Sequence, residues 1–113
     1  METKELMIGD KVMVKVLSQI PDTYVLHTWT ANDYSRDLQV KPIPLTRKIL
    51  KKNGWWYGIE DIWLHDGVSF CIEKWDGKLQ CYDISQIKLD SVHQLQHALR
   101  LCGLDELADN FKV

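Results

Sequence analysis

Apolar and polar positions alternate in several short runs and then fall into helical spacing near the C-terminal end. Residues 11–17 (KVMVKVL) follow a Gly9-Asp10 turn signal and set Val12, Val14 and Val16 on one face, which predicts a strand. Pro21-Asp22 marks the next turn, and residues 23–30 (TYVLHTWT) read as a second strand. A polar loop, 31–37, leads to a short third strand at 38–40, after which Pro42 and Pro44 prevent regular pairing. Residues 46–52 predict a short helix, capped by Thr46 and stopped by Asn53-Gly54.

The middle of the chain carries two Asp-Gly pairs, 66–67 and 76–77, each in the form of a two-residue hairpin turn. They divide strand-like runs at 59–65, 68–75 and 78–84. Paired through tight turns, these runs place His65 opposite Val68 and Trp75 opposite Lys78. One face then collects Ile59, Trp63, Val68, Phe70, Ile72, Leu79 and Cys81, a good core face. The other mixes Glu60, Ser69, Glu73, Lys78 and Gln80 with Ile62, Leu64, Cys71, Trp75, Tyr82 and Ile84. A face of that kind is expected to be partly covered by the chain or by a partner.

Residues 91–102 predict a helix, with Ser91 as its cap and Gly103 as its stop. Val92, Leu95, Ala98, Leu99 and Cys102 share an apolar stripe, with Leu101 at its flank. His93, Gln96, His97 and Arg100 point the other way and read as a solvated polar face. His93 and His97 stand in the register of the zinc-protease pattern H-E-x-x-H. Gln94 occupies the place of the general-base Glu, no third ligand is near in sequence, and Arg100 would repel a cation. The two histidines are therefore weak metal candidates, and no cofactor is expected. Residues 105–113 predict one or two helical turns with Leu107 and Phe111 facing inward.

Length and composition narrow the class. The 113 residues suit a single domain, 45% apolar and 27% charged, which is the balance of a folded soluble protein. No apolar run approaches the roughly 20 residues that span a bilayer, and METKELMIGD lacks the apolar core of a secretory signal. Three cysteines without C-x-x-C spacing point to reduced thiols and a cytoplasmic location. Phosphate-binding loops, dinucleotide fingerprints and the nucleophile elbow are absent from the sequence.

Charge changes the picture in one place. The net charge is only −2, yet Lys41, Arg47, Lys48, Lys51 and Lys52 fall within twelve residues that hold no acid. On a helix Arg47, Lys48, Lys51 and Lys52 form one stripe opposite Ile49 and Leu50, and Trp55, Trp56 and Tyr57 follow at once. Basic side chains beside aromatics can hold phosphates and stack bases. Together with Trp75 on the mixed meander face, these residues make the candidate binding set: Lys41, Arg47, Lys48, Lys51, Lys52, Trp55, Trp56 and Trp75.

Three segments carry a resemblance: LMIGDKV at 6–12, PIPLTRKILKKNG at 42–54 and VHQLQHALRLCG at 92–103. Together they resemble a family of small uncharacterised proteins of Bacteroidales bacteria and their phages or mobile elements. That family has Pro and acids after the threonine, where this chain has Arg47 and Lys48. The resemblance implies an intracellular protein of mobile-element type and brings no catalytic residue.

The expected fold is α+β: a small bent antiparallel sheet, or an SH3-like barrel in which the N-terminal strands join the two-hairpin meander. The 91–102 helix covers its apolar face and the 46–52 helix sits at an edge. The expected function is non-enzymatic binding of a protein partner, such as a host defence protein, with no membrane insertion and with room for a homo-oligomer. The alternative is a nucleotide or nucleic-acid binder using the basic stripe, and the least favoured is a metal-dependent hydrolase built on His93 and His97.

Overall fold

A computed structural model describes residues 2–15, 23–36, 38–58, 62–75, 78–81 and 88–113, with the side chain of Trp75 outside the description. Strand β1 (Lys11–Lys15) buries Val12 and Val14, as its alternation requires. It lies between β2 (Tyr24–Thr28) and β3 (Val40–Lys41), antiparallel to both. Leu6, Val12, Val14, Trp29 and Val40 form the small core of this three-stranded sheet. The third strand thus begins at the end of the 38–40 run, and the 16–17 end of the first run lies outside the described residues.

Helix α1 (Arg47–Lys52) forms where expected. The Thr46 hydroxyl accepts the Ile49 N–H at 3.2 Å, and Gly54 ends the helix in the left-handed region at φ +85°. Pro42 and Pro44 do not exclude all pairing: Pro44 bridges Ser91, with Leu45 N–H and Val92 N–H donating to Asp90 and Ile43 at 3.0 and 2.8 Å. Strand β4 (Trp56–Tyr57) then opens a second sheet of order β4-β5-β6-β7, with β5 (Ile62–Leu64), β6 (Ile72–Trp75) and β7 (Lys78–Cys81).

The meander is confirmed, with one correction of register. Trp75 pairs with Lys78, as a two-residue connection demands, although residues 76–77 themselves lie outside the described residues. The first hairpin differs. Val68 N–H does close a turn on His65 O at 3.1 Å, but Trp63 pairs with Ile72 rather than Phe70, a slip of two residues. His65 and Phe70 are drawn from the ladder by packing on Trp55, their ring centroids 5.2 and 5.9 Å from it. Because side chains alternate with period two, the slip preserves the faces. Trp63, Phe70, Ile72 and Cys81 are buried, and Val68 and Leu79 pack against them; Ile59 lies outside the described residues.

Helix α2 (Val92–Leu101) covers that face with Val92, Leu95, Ala98 and Leu99. Its capping box joins Ser91 to Gln94, and Gly103 ends it at φ +76°. Cys102, expected on the apolar stripe, is exposed beyond the last turn. Helix α3 (Asp105–Asp109) follows, and the tail turns Phe111 and part of Leu107 into the core. The result is an α+β fold with two small antiparallel sheets. Among the described residues no strand pairing joins the two sheets; their junction is made by α2. Among the described residues no helix is long and apolar enough to cross a membrane, and the cysteines form no disulfide.

Candidate functional site

The two histidines and their neighbours sit at that junction, not in solvent. Asp10, at the end of the Met7–Asp10 turn, is fully buried. A buried carboxylate requires donors, and α2 supplies them. His97 Nε2 lies 2.5 Å from Asp10 Oδ2, and Arg100 Nη1 donates to Oδ1 at 2.5 Å, while Met7 N–H donates to Oδ2 at 2.8 Å. Burial pushes the Asp10 carboxyl up, but the bonds from His97, Met7 and Arg100 and the charge of His97 outweigh it, leaving the pKa below the usual 3.8.

Gln96, one of the least exposed side chains, completes the junction. Its Oε1 accepts Lys11 N–H at 2.8 Å, and its Nε2 donates to Gly9 O at 3.0 Å and Ala108 O at 2.8 Å. Gly9 has φ +95°, and a Cβ there would stand 2.7 Å from Asp109 Oδ1 and 2.9 Å from Arg100 Nη2, so both the turn and the docking need glycine. His93 is buried beside Ser91, its Nδ1 3.1 Å from the hydroxyl. The polar face of α2 is therefore a closed joint, which corrects the reading of His93, Gln96, His97 and Arg100 as solvated. With His97 Nε2 turned to Asp10, the pair does not converge on a cation. Among the described residues no three His, Cys, Asp or Glu side chains are placed to hold a metal.

A second buried carboxylate missed by the sequence reading is Asp33. It accepts from His27 Nε2 at 2.7 Å, Thr30 N–H at 2.8 Å and the Thr30 hydroxyl at 2.9 Å. Burial pushes it up, but His27 and Thr30 hold its pKa down at about 2. The Thr30-x-x-Asp33 spacing was the available signal, a short capping box.

The basic and aromatic residues occupy another surface. Arg47, Lys48, Lys51 and Lys52 are exposed along α1, which buries Leu50 and part of Ile49. Trp56 and Tyr57 are 49% and 47% exposed on β4, the outer strand of its sheet. The Arg47 guanidinium lies 5.8 Å above the centre of the Tyr57 ring, and Tyr57 leans edge-on against Trp63 at 5.4 Å. Trp56 pairs with Leu64 on the opposite face, beside half-buried Ile62 and Glu73.

Two members of the expected set part from this surface, and the side chain of a third, Trp75, lies outside the described residues. Trp55 is only 3% exposed and belongs to the core, packed by Phe70 and His65, so it is not part of this exposed surface. Lys41 lies in the three-stranded sheet with its amine 4.1 Å over the Tyr24 ring. The surface that remains is Arg47, Lys48, Lys51 and Lys52 with Trp56 and Tyr57, the last being the residue that the binding set lacked. Comparisons with protein-family models, curated proteins and solved structures give no match.

Proposed function

We propose that this chain is a non-enzymatic binding protein whose outer α1–β4 edge, with Arg47 and Tyr57 on one side and Trp56 on the other, engages an acidic protein partner. The carrying observation is the half-exposed Trp56 at the outer strand, next to a Tyr57 that bears the Arg47 guanidinium. Trp, Tyr and Arg are the side chains that dominate interface energetics, because each combines a large apolar area with a directional polar group. Four exposed cations on six residues of α1 select for an acidic partner and steer its approach. The half-open Trp56, Ile62 and Leu64 face gives the partner an apolar footing that a nucleic acid would not need. The resemblance to mobile-element proteins suggests a host protein, such as a defence factor, as that partner.

Immobilised protein is expected to retain one partner from an extract of its native cells and to release it as salt rises. Trp56→Ala and Lys48→Glu alter exposed positions and leave folding intact. Each is expected to weaken that complex by about 2 kcal/mol, roughly thirtyfold. Unchanged retention by both variants contradicts the proposal.

The Arg47–Tyr57 stack supports a second reading, in which the same face stacks single-stranded nucleic acid. That reading predicts saturable binding of a mixed-sequence oligonucleotide, with affinity falling linearly on logarithmic axes as salt rises. Lys48→Glu with Lys51→Glu would abolish it; salt-independent binding would remove it.

A further inference from the structure

Behind α1 lies a cleft of about 330 Å³, bounded by the Lys52–Trp55 connection, the His65–Val68 turn and the tail from Leu107 to Lys112. Its floor is apolar, made by Trp55, Leu99 and Phe111, all of them core residues. Its rim is cationic. Lys52 and Lys112 both line it, and no acidic side chain does among the described residues, in a chain with 16 acids against 14 lysines and arginines.

His65 completes the rim. Its Nε2 is 3.0 Å from Asn53 O and its Nδ1 2.5 Å from Asp66 O. Gly54 keeps the wall thin: a Cβ at this φ +85° position would stand 3.0 Å from His65 Nε2. The wall is also fixed in place. The Asn53 side chain donates to Ile49 O and Lys112 O at 2.8 and 2.7 Å and accepts Lys112 N–H at 2.7 Å, tying the tail to the end of α1. Lys52 Nζ donates to Val113 O at 3.0 Å.

We propose that this cleft is a binding site for a small organic anion with a flat apolar body, such as an aromatic carboxylate, sulfonate or phosphate. Binding cavities run from roughly 300 to 1,000 Å³, so a volume at the lower end suits a metabolite-sized ligand rather than a dinucleotide. The apolar body would rest on the Trp55 and Phe111 floor, and the anionic group would meet Lys112 and His65. The site is independent of the α1–β4 proposal apart from Lys52, which borders both, so Lys112 is the position to vary.

The probe is anilinonaphthalenesulfonate, titrated against the full chain and followed by NMR of the backbone amides and indole N–H groups. Saturable binding with a Kd below about 1 mM is expected, with the largest shifts at Gly54, Asn110 and the Trp55 indole. The uncharged phenylnaphthylamine and the Lys112→Glu variant should each bind or be bound about tenfold more weakly, while Lys48→Glu stays within about twofold of wild type. Any of three results overturns the proposal: no saturable binding, equal affinity for the uncharged probe, or shifts centred on Trp56 and Tyr57.

Discussion

His93 loses water on folding without gaining a countercharge in direct contact. Burial pulls its pKa below 6.5; Asp10 opposes this, His97 adds to it and Glu5 opposes it, and the net shift is downward. A histidine whose folded pKa is lowered binds fewer protons when folded than when unfolded. Its contribution to stability is therefore complete above about pH 6.5 and declines as pH falls through the interval below. Urea unfolding at pH 7.5 and 5.5 should show a larger loss for the wild type than for His93→Gln. The difference is bounded by about 1.4 kcal/mol per pH unit for one proton. Equal losses would place His93 in solvent. The sequence placed His93 and His97 correctly on one helical face but assigned that face to water. What reversed the assignment was Asp10, 87 residues away along the chain from His97. Helical periodicity says which residues point together; it carries no information about what another segment brings to meet them.

Elements were legible to the extent that local signals fixed them. Thr46 and Ser91 at helix starts, Gly54 and Gly103 at helix ends and the alternation of β1 each act within a few residues, and each was read correctly. The hairpin register was not, because packing of His65 and Phe70 on Trp55 displaced the strand pairing beyond an otherwise closed turn. The apolar docking of α2 was anticipated, whereas the docking of its polar face was hidden because its partners lie far along the chain. Gln96 joins three elements by satisfying Lys11 N–H, Gly9 O and Ala108 O. Gln96→Leu preserves bulk and helix propensity but leaves those three buried or part-buried backbone groups without their partner. It is expected to destabilise the fold by at least about 2 kcal/mol, read as a lowered urea midpoint. A change under about 0.5 kcal/mol, the size of an ordinary surface substitution, would contradict the joint.

Across the whole molecule the charged groups divide into two kinds. Asp10 and Asp33 are buried, and with partly buried Arg100 and their other partners they hold the N-terminal sheet, its loop and α2 in place. Arg47, Lys48 and Lys51 are exposed beside half-open aromatics, where a partner can reach them. Composition disclosed the second kind directly, as five cations in twelve residues, and showed nothing of the first. Tryptophan divides in the same way: Trp29, Trp55 and Trp63 are core, while Trp56 is open. Hydroxyl-radical footprinting of the free protein tests this division most directly, with each rate corrected for intrinsic side-chain reactivity. Trp56 and Tyr57 should be oxidised rapidly, and Trp29, Trp55, Trp63 and His93 should be protected. Oxidation of His93 at the corrected rate of Trp56, or protection of Trp56 equal to that of Trp63, would contradict both the closed joint and the open binding face.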